Sequence, residues 1–142
     1  MRLARDSRYA IEALIVLAGR DPGVYVDARE IGAQADLPLA YLHKILRVLA
    51  TAGVVESRRG KGYSLARPAN EITMREVLEA VEGGGVFDGR CIFWREECSA
   101  EDPCALHFRW VEVRPHMENA IATTTIADVD RARALAAAVS EP

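Results

Sequence analysis

The stretch LPLAYLHKILRVLATAGVVESRRGKGYSLARPAN, residues 37–70, decides the fold. Leu42, Ile45, Leu46 and Leu49 recur at spacings of three and four, which predicts a helix with one apolar stripe ending near Ala52. Pro38 stands where a first helical turn tolerates proline, and Gly53 supplies a stop. Tyr41, His43, Lys44 and Arg47 are left for the other faces. Two short strands follow, at 54–57 and 63–66. Between them Arg58-Arg59-Gly60-Lys61-Gly62 reads as a basic hairpin tip.

Working outward, residues 7–19 place Tyr9, Ala10, Ala13, Leu14, Leu17 and Ala18 on a helical period. Asp21-Pro22-Gly23 stops that helix, and residues 24–26 suffice only for a strand stub. Asp27 with Glu30 three positions on predicts a capping box for a second helix at 28–35, burying Ile31. Asp36-Leu37-Pro38 separates it from the third helix. After Arg67-Pro68-Ala69-Asn70, Thr73 and Glu76 predict another capped helix at 73–81. Gly83-Gly84-Gly85 is a break. A long helix is expected from about Pro103 to Thr123, with Leu106, Trp110, Val113, Met117 and Ile121 as its stripe and Pro115 inside it as a kink or split. Thr125 and Asp128 cap a last helix at 126–139, with a frayed tail at 140–142.

Helix, helix, tight turn, helix and basic hairpin form, in that order, a winged helix-turn-helix. The expected class is mostly α with a small β-wing, followed by a long C-terminal helix. In such a unit the third helix enters a major groove, where base edges are distinguishable. Pro38, Ala40, Tyr41, His43 and Lys44 are then the candidates for bases, and Arg47 for phosphate. Arg58, Arg59 and Lys61 put positive charge on the hairpin that approaches the duplex backbone. The charge distribution agrees: residues 1–70 hold eleven Lys/Arg against seven Asp/Glu, and residues 71–142 hold seven against fourteen. The simpler alternative is a small domain with a solvated basic turn, Tyr41 packing on the first helix.

All three cysteines fall in RCIFWREECSAEDPCALHFRW, residues 90–110: Cys91, Cys98 and Cys104, with His107 beyond. The spacing C-x6-C-x5-C-x2-H is neither that of a zinc finger nor that of a ferredoxin. Long gaps suit a loop wrapped round a soft metal or a bulkier cluster. Cys104 and His107, three apart, would share a helix face. Reduced thiols without a ligand role and a reversible thiol switch stay open beside this. Phe93 and Trp94 either shield such a centre or dock on the core. Glu96, Glu97, Glu101 and Asp102 make the loop a poor DNA contact.

No run of 18 uncharged apolar residues is present, so no membrane span is expected. The start, with Asp6 and Glu12 beside its apolar run, does not read as a signal peptide. A cytoplasmic location with reduced thiols is expected. No Ser/His/Asp elbow, phosphate loop or paired acid cleft marks an enzyme. A small redox or electron-transfer protein is the rival of another class, and the basic hairpin argues against it.

Together, MRLARDSRYAIEAL (1–14), LPLAYLHKILRVLATAGVVESRRG (37–60), YSLARPANEIT (63–73) and the C-x6-C-x5-C loop resemble the Rrf2 family of bacterial winged-helix regulators, to about Val129. That family includes the IscR, NsrR and RirA types. The resemblance implies a homodimer joined mainly through the long C-terminal helix, an operator of double-stranded DNA, and repression governed by an iron–sulfur cluster. The signal it implies is iron or cluster status, redox state or nitric oxide. It implies Cys91, Cys98 and Cys104 as cluster ligands, [2Fe–2S] favoured over [4Fe–4S]. His107 is the preferred fourth ligand, with Asp6 of the partner subunit as the alternative. A cluster-free member using a thiol switch or zinc is the nearer rival. The expected division is a winged domain at 1–82, a cysteine-rich cluster-binding loop at 83–103, and a dimerisation helix with the C-terminal helix at 104–142. Three features depart from the family pattern: a shorter wing tip, Pro38 and Ala40 where Ser or Thr is common, and Pro115 in the dimer helix.

Overall fold

The computed structural model describes residues 4–83, 91, 93 and 98–140. The glycines Gly84 and Gly85, the loop residues Arg90, Trp94, Glu96 and Glu97, and the tail residues Glu141 and Pro142 lie outside the described residues.

Helix α1 (Arg5–Ala18) is central, packing against four of the helices introduced below. It buries Ala10, Ala13, Leu14 and Leu17 along one stripe. Helix α2 (Ala28–Ala35) starts where Asp27 accepts a hydrogen bond from the Arg29 amide at 2.7 Å. The expected capping box is not formed there. Glu30 accepts instead from Arg20 at 2.6 Å and from Gln34 at 3.0 Å. An ionic partner across the α1–α2 turn wins over the local amide. Asp36 ends α2 in the left-handed region, φ 54°, a conformation that aspartate tolerates better than most residues. A Cβ on Gly32 would stand 3.1 Å from the Leu37 carbonyl oxygen, so a small residue is needed where the tight turn folds back.

Helix α3 (Leu39–Thr51) buries Leu42, Ile45, Leu46 and Leu49, the expected stripe. Gly53, at φ 75°, follows it as the left-handed residue of the stop. Strands β1 (Val55–Arg58) and β2 (Gly62–Leu65) pair antiparallel with Val55 opposite Leu65 and Arg58 opposite Gly62. The stub before α2 does pair: Val26 and Tyr63 exchange two backbone hydrogen bonds of 2.8 Å. Gly62 allows that approach. Its φ is 101°, and a Cβ there would lie 2.1 Å from the Val26 carbonyl oxygen.

A 3-10 turn (Ala69–Glu71) leads to helix α4 (Met74–Glu82), whose capping box is complete. Thr73 N–H donates to Glu76 at 2.9 Å and Glu76 N–H donates to Thr73 Oγ1 at 3.3 Å. Helix α5 (His107–Thr123) begins later than the sequence suggests and runs unbroken past Pro115. The proline removes one N–H from the ladder without splitting the helix. Helix α6 (Ile126–Ser140) starts with Thr125 and Asp128 capping each other, 2.9 Å and 3.2 Å. The α5–α6 corner is sewn to the start of α4 by Met74 N–H to the Thr124 carbonyl and Ile126 N–H to the Ile72 carbonyl. Ile72 and Ile126 are fully buried beneath it. The architecture is mostly α with a two-stranded wing.

Candidate nucleic-acid interface and cysteine centre

The residues of α3 not needed by the core face outward. Pro38, Ala40, Tyr41, His43, Lys44 and Arg47 are all exposed, and so are Arg58, Arg59 and Lys61 on the wing. The first turn of α3 carries no acidic residue, so its partial positive charge is open to an anion. Lys61 N–H closes the wing tip onto the Arg58 carbonyl at 2.9 Å.

Three of these side chains are held by partners. The Arg5 guanidinium lies 4.3 Å from the centre of the Tyr41 ring, and Tyr9 meets that ring edge-on at 6.3 Å. Lys44 Nζ pairs with Asp6 at 3.6 Å. Arg58 lies 4.7 Å over the Tyr25 ring. Tyr41 therefore does pack on α1, and it stays 41% exposed while doing so. The part played by Arg5 was not read from the sequence. Its signal was the basic cluster Arg2, Arg5 and Arg8 one turn ahead of the periodic stretch.

The three thiols converge at the start of α5. None is in a disulfide, and their sulfurs lie within 4.8 Å of one another. Cys91 and Cys104 are 3.5 Å apart. Amide N–H groups point at the sulfurs: Phe93 at Cys91, 3.4 Å, and Cys104 at Cys98, 3.3 Å. Such bonds orient the sulfurs. His107 reaches the group through Cys98, Nδ1 to Sγ 3.1 Å. The expected shared helix face with Cys104 is not its route. Cys104 precedes the helix, and the link between them is His107 N–H to the Cys104 carbonyl at 3.1 Å. Phe93 docks edge-on against the buried Trp110, ring centres 6.2 Å apart.

The Leu106 amide hydrogen-bonds Cys104 and favours its ionised form, but burial and the thiols of Cys91 and Cys98 outweigh it, and its pKa is raised. A bound cation would reverse that balance. A tetrahedral site with metal–sulfur bonds of about 2.3 Å has sulfur–sulfur edges of roughly 3.8 Å, close to the Cys91–Cys104 separation. By residue type and spacing these side chains fit a soft, thiolate-held metal centre. Asp6 in this chain faces Lys44 on α3.

Among the described residues no helix is long and apolar enough to cross a membrane. The chain is 31% identical over 128 residues to the HTH-type transcriptional regulator IscR of Pectobacterium atrosepticum, covering 89% of this chain and 77% of that protein. In fold it is similar to CymR, the global cysteine regulator of B. subtilis, with TM-score 0.75, 24% identity, and 92% and 97% of the two chains covered. The oxidized form of Staphylococcus aureus CymR gives TM-score 0.71, 25% identity, and 92% and 96% covered. The sequence profile of the Rrf2 family, iron-dependent transcriptional regulators, matches residues 3–131. The chain, with its winged fold and outward basic residues, belongs to the Rrf2 family of transcriptional regulators, which are not enzymes.

Proposed function

We propose that the protein is a dimeric, cytoplasmic repressor whose grip on its operator is set by an iron–sulfur centre. Cys91, Cys98 and Cys104 are its ligands and His107 the fourth, with [2Fe–2S] preferred over [4Fe–4S]. The observation that carries this is the convergence of three sulfurs, with His107 on one of them, at the mouth of α5. When bound, the cluster would supply a core that changes with iron supply, redox state or nitric oxide.

The chain's own residues do the rest. Cys104 and His107 flank the first turn of α5, so any change in what the thiols hold acts on that turn. Helix α5 packs on α4, and α4 packs on both α1 and α3. The route from sulfur to the base-reading residues Pro38, Ala40, Tyr41, His43 and Lys44 is thus a chain of packed helices. Arg47, Arg58, Arg59 and Lys61 hold phosphates. Residues 1–82 then serve as reader, 83–103 as sensor loop and 104–142 as dimer element. Leu106, Phe108, Val111 and Val113 are 39–64% exposed in the single chain, an apolar set that a second copy would cover. Two readers on one duplex must keep half-sites about 34–36 Å apart, so small shifts in α5 cost affinity.

A cluster-free regulator using zinc or a thiol switch is the second reading. The 3.5 Å approach of Cys91 and Cys104 favours it, and an oxidized form is known for the similar CymR of Staphylococcus aureus. Anaerobic purification separates the two. The first gives coloured protein with iron and matched acid-labile sulfide; zinc alone, or no metal after anaerobic reconstitution, defeats it. His107→Ala is expected to weaken cluster retention more than Asp6→Asn; the reverse order would move the fourth ligand to Asp6 of the partner subunit.

A further inference from the structure

A cavity of about 480 Å3 lies between the C-terminal end of α1, the turn at 21–23, and β2 with the residues after it. None of the residues assigned above to DNA or to the thiol centre lines it, and its size is that of a small-ligand site. Leu17, Leu65 and Pro68 give it apolar walls, and four charged side chains line it: Arg20, Asp21, Glu56 and Arg67.

Those four charges are not equivalent. Arg20 is paired with Glu30 at 2.6 Å, and Arg67 with Glu76 at 2.6 Å and the Glu71 carbonyl at 3.1 Å. Each guanidinium has five N–H donors, so both are held in place with donors to spare and their charge matched. The acids are less well matched. Glu56 accepts from the Tyr25 hydroxyl at 3.0 Å, and among the described residues Asp21 enters no side-chain ion pair. A simple anion would meet an excess of carboxylates, and a plain hydrocarbon would strip water from charged groups without replacing it.

We infer that this cavity binds a small α-amino acid with an apolar side chain. Its ammonium meets Asp21 and Glu56, its carboxylate takes the spare N–H groups of Arg20 and Arg67, and its side chain lies on Leu17, Leu65 and Pro68. Such a ligand bears on the wing. Tyr25 lines the cavity and carries Arg58 over its ring. Its neighbour Val26 pins Tyr63. Occupancy would fix the 25–26 segment against β2 and so fix Arg58; this effect on DNA, unlike the binding itself, rests on the wing reading above.

Binding is tested without DNA, on the whole chain, by amide chemical shifts during titration with L-leucine, L-methionine and L-valine. At least one is expected to saturate, with shifts centred on Tyr25, Glu56 and Leu65. 3-Methylbutylamine and 4-methylpentanoate, leucine stripped of one charge each, should bind at least roughly tenfold more weakly. Glu56→Gln and Asp21→Asn should each weaken the amino acid about tenfold, and Ala18→Leu, which fills the cavity, should abolish binding. If all three amino acids fail to saturate, or the stripped analogues bind equally well, the inference is overturned, and DNA binding by the same chain is untouched by that result.

Discussion

Helix α3 buries Leu42, Ile45, Leu46 and Leu49 in a core shared with α1, whereas the cysteine centre buries Cys104 and leaves Cys91 and Cys98 half-exposed. The reader is held by area removed from water, which needs no ligand and has no direction. The thiols carry amide–sulfur bonds and an imidazole contact, each weak and each dependent on the state of sulfur. A rigid reader joined to a chemically soft corner is what a sensing regulator needs. What binds or oxidises the sulfurs can move the corner without melting the core.

The largest expected effect breaks the comparison on the side of the core. Leu46→Ala should cost about 2–5 kcal/mol in urea unfolding, because Leu46 is fully buried. Cys98→Ser in reduced, metal-free protein should cost under about 1 kcal/mol. Equal costs would mean that the cysteines are structural core and not a soft corner. Next is the wing. Gly62→Ala sets a Cβ against the Val26 carbonyl at a left-handed φ, a strain of about 1–3 kcal/mol. Faster hydrogen exchange at the Val26 and Tyr63 amides should report it, with weaker DNA binding and little loss of α-helix. Unchanged exchange would show that the wing is not pinned there.

The same contrast governs what was legible in the sequence. Periodicity located α1, α2, α3 and α4 to within about two residues at each end, since their buried faces repeat. Thr73 and Glu76 were legible because a capping box is local; Glu30 was misread because its partner, Arg20, lies ten residues back in the connection from α1. The thiols were legible as a group by residue type alone. Their geometry was not, since a loop has no period to extrapolate: His107 turns to Cys98, nine residues back, not to Cys104. The grip of Arg5 and Asp6 on α3 joins elements some forty residues apart, and the basic cluster ahead of the first helix marks the charge without saying what it meets.

Single charges on the reader give smaller effects. Arg59→Ala should weaken DNA binding by roughly 1 kcal/mol and lower the slope of log affinity against log salt by about 0.9, one phosphate's share. Lys44→Ala should change base preference more than slope. Asp6→Asn releases Lys44 and removes a negative charge beside it, so affinity should rise slightly. A fall would mean that the Asp6 contact presents Lys44 correctly and does not restrain it.

The smallest effect lies at the α4 cap, where the reader's helices meet α5. Burial opposes the charged form of Glu76, but the Thr73 amide, Arg67 and the Thr73 hydroxyl together outweigh it, and its pKa is lowered. A carboxyl depressed on folding contributes stability above its unfolded pKa, about 4.3; that contribution is lost as pH falls through the lower folded value. The Arg67–Glu76 pair is 38% and 39% exposed, so the contribution is only about 0.5 kcal/mol. Asp128, depressed by the Thr125 amide and hydroxyl, gives the wild type an acid limb of its own, so the informative quantity is wild type minus Glu76→Gln. That difference should be greatest at neutral pH and shrink below about pH 4.3. A difference independent of pH would mean that the glutamine loses shape and not charge, and that the cap is held by the Thr73 bonds alone.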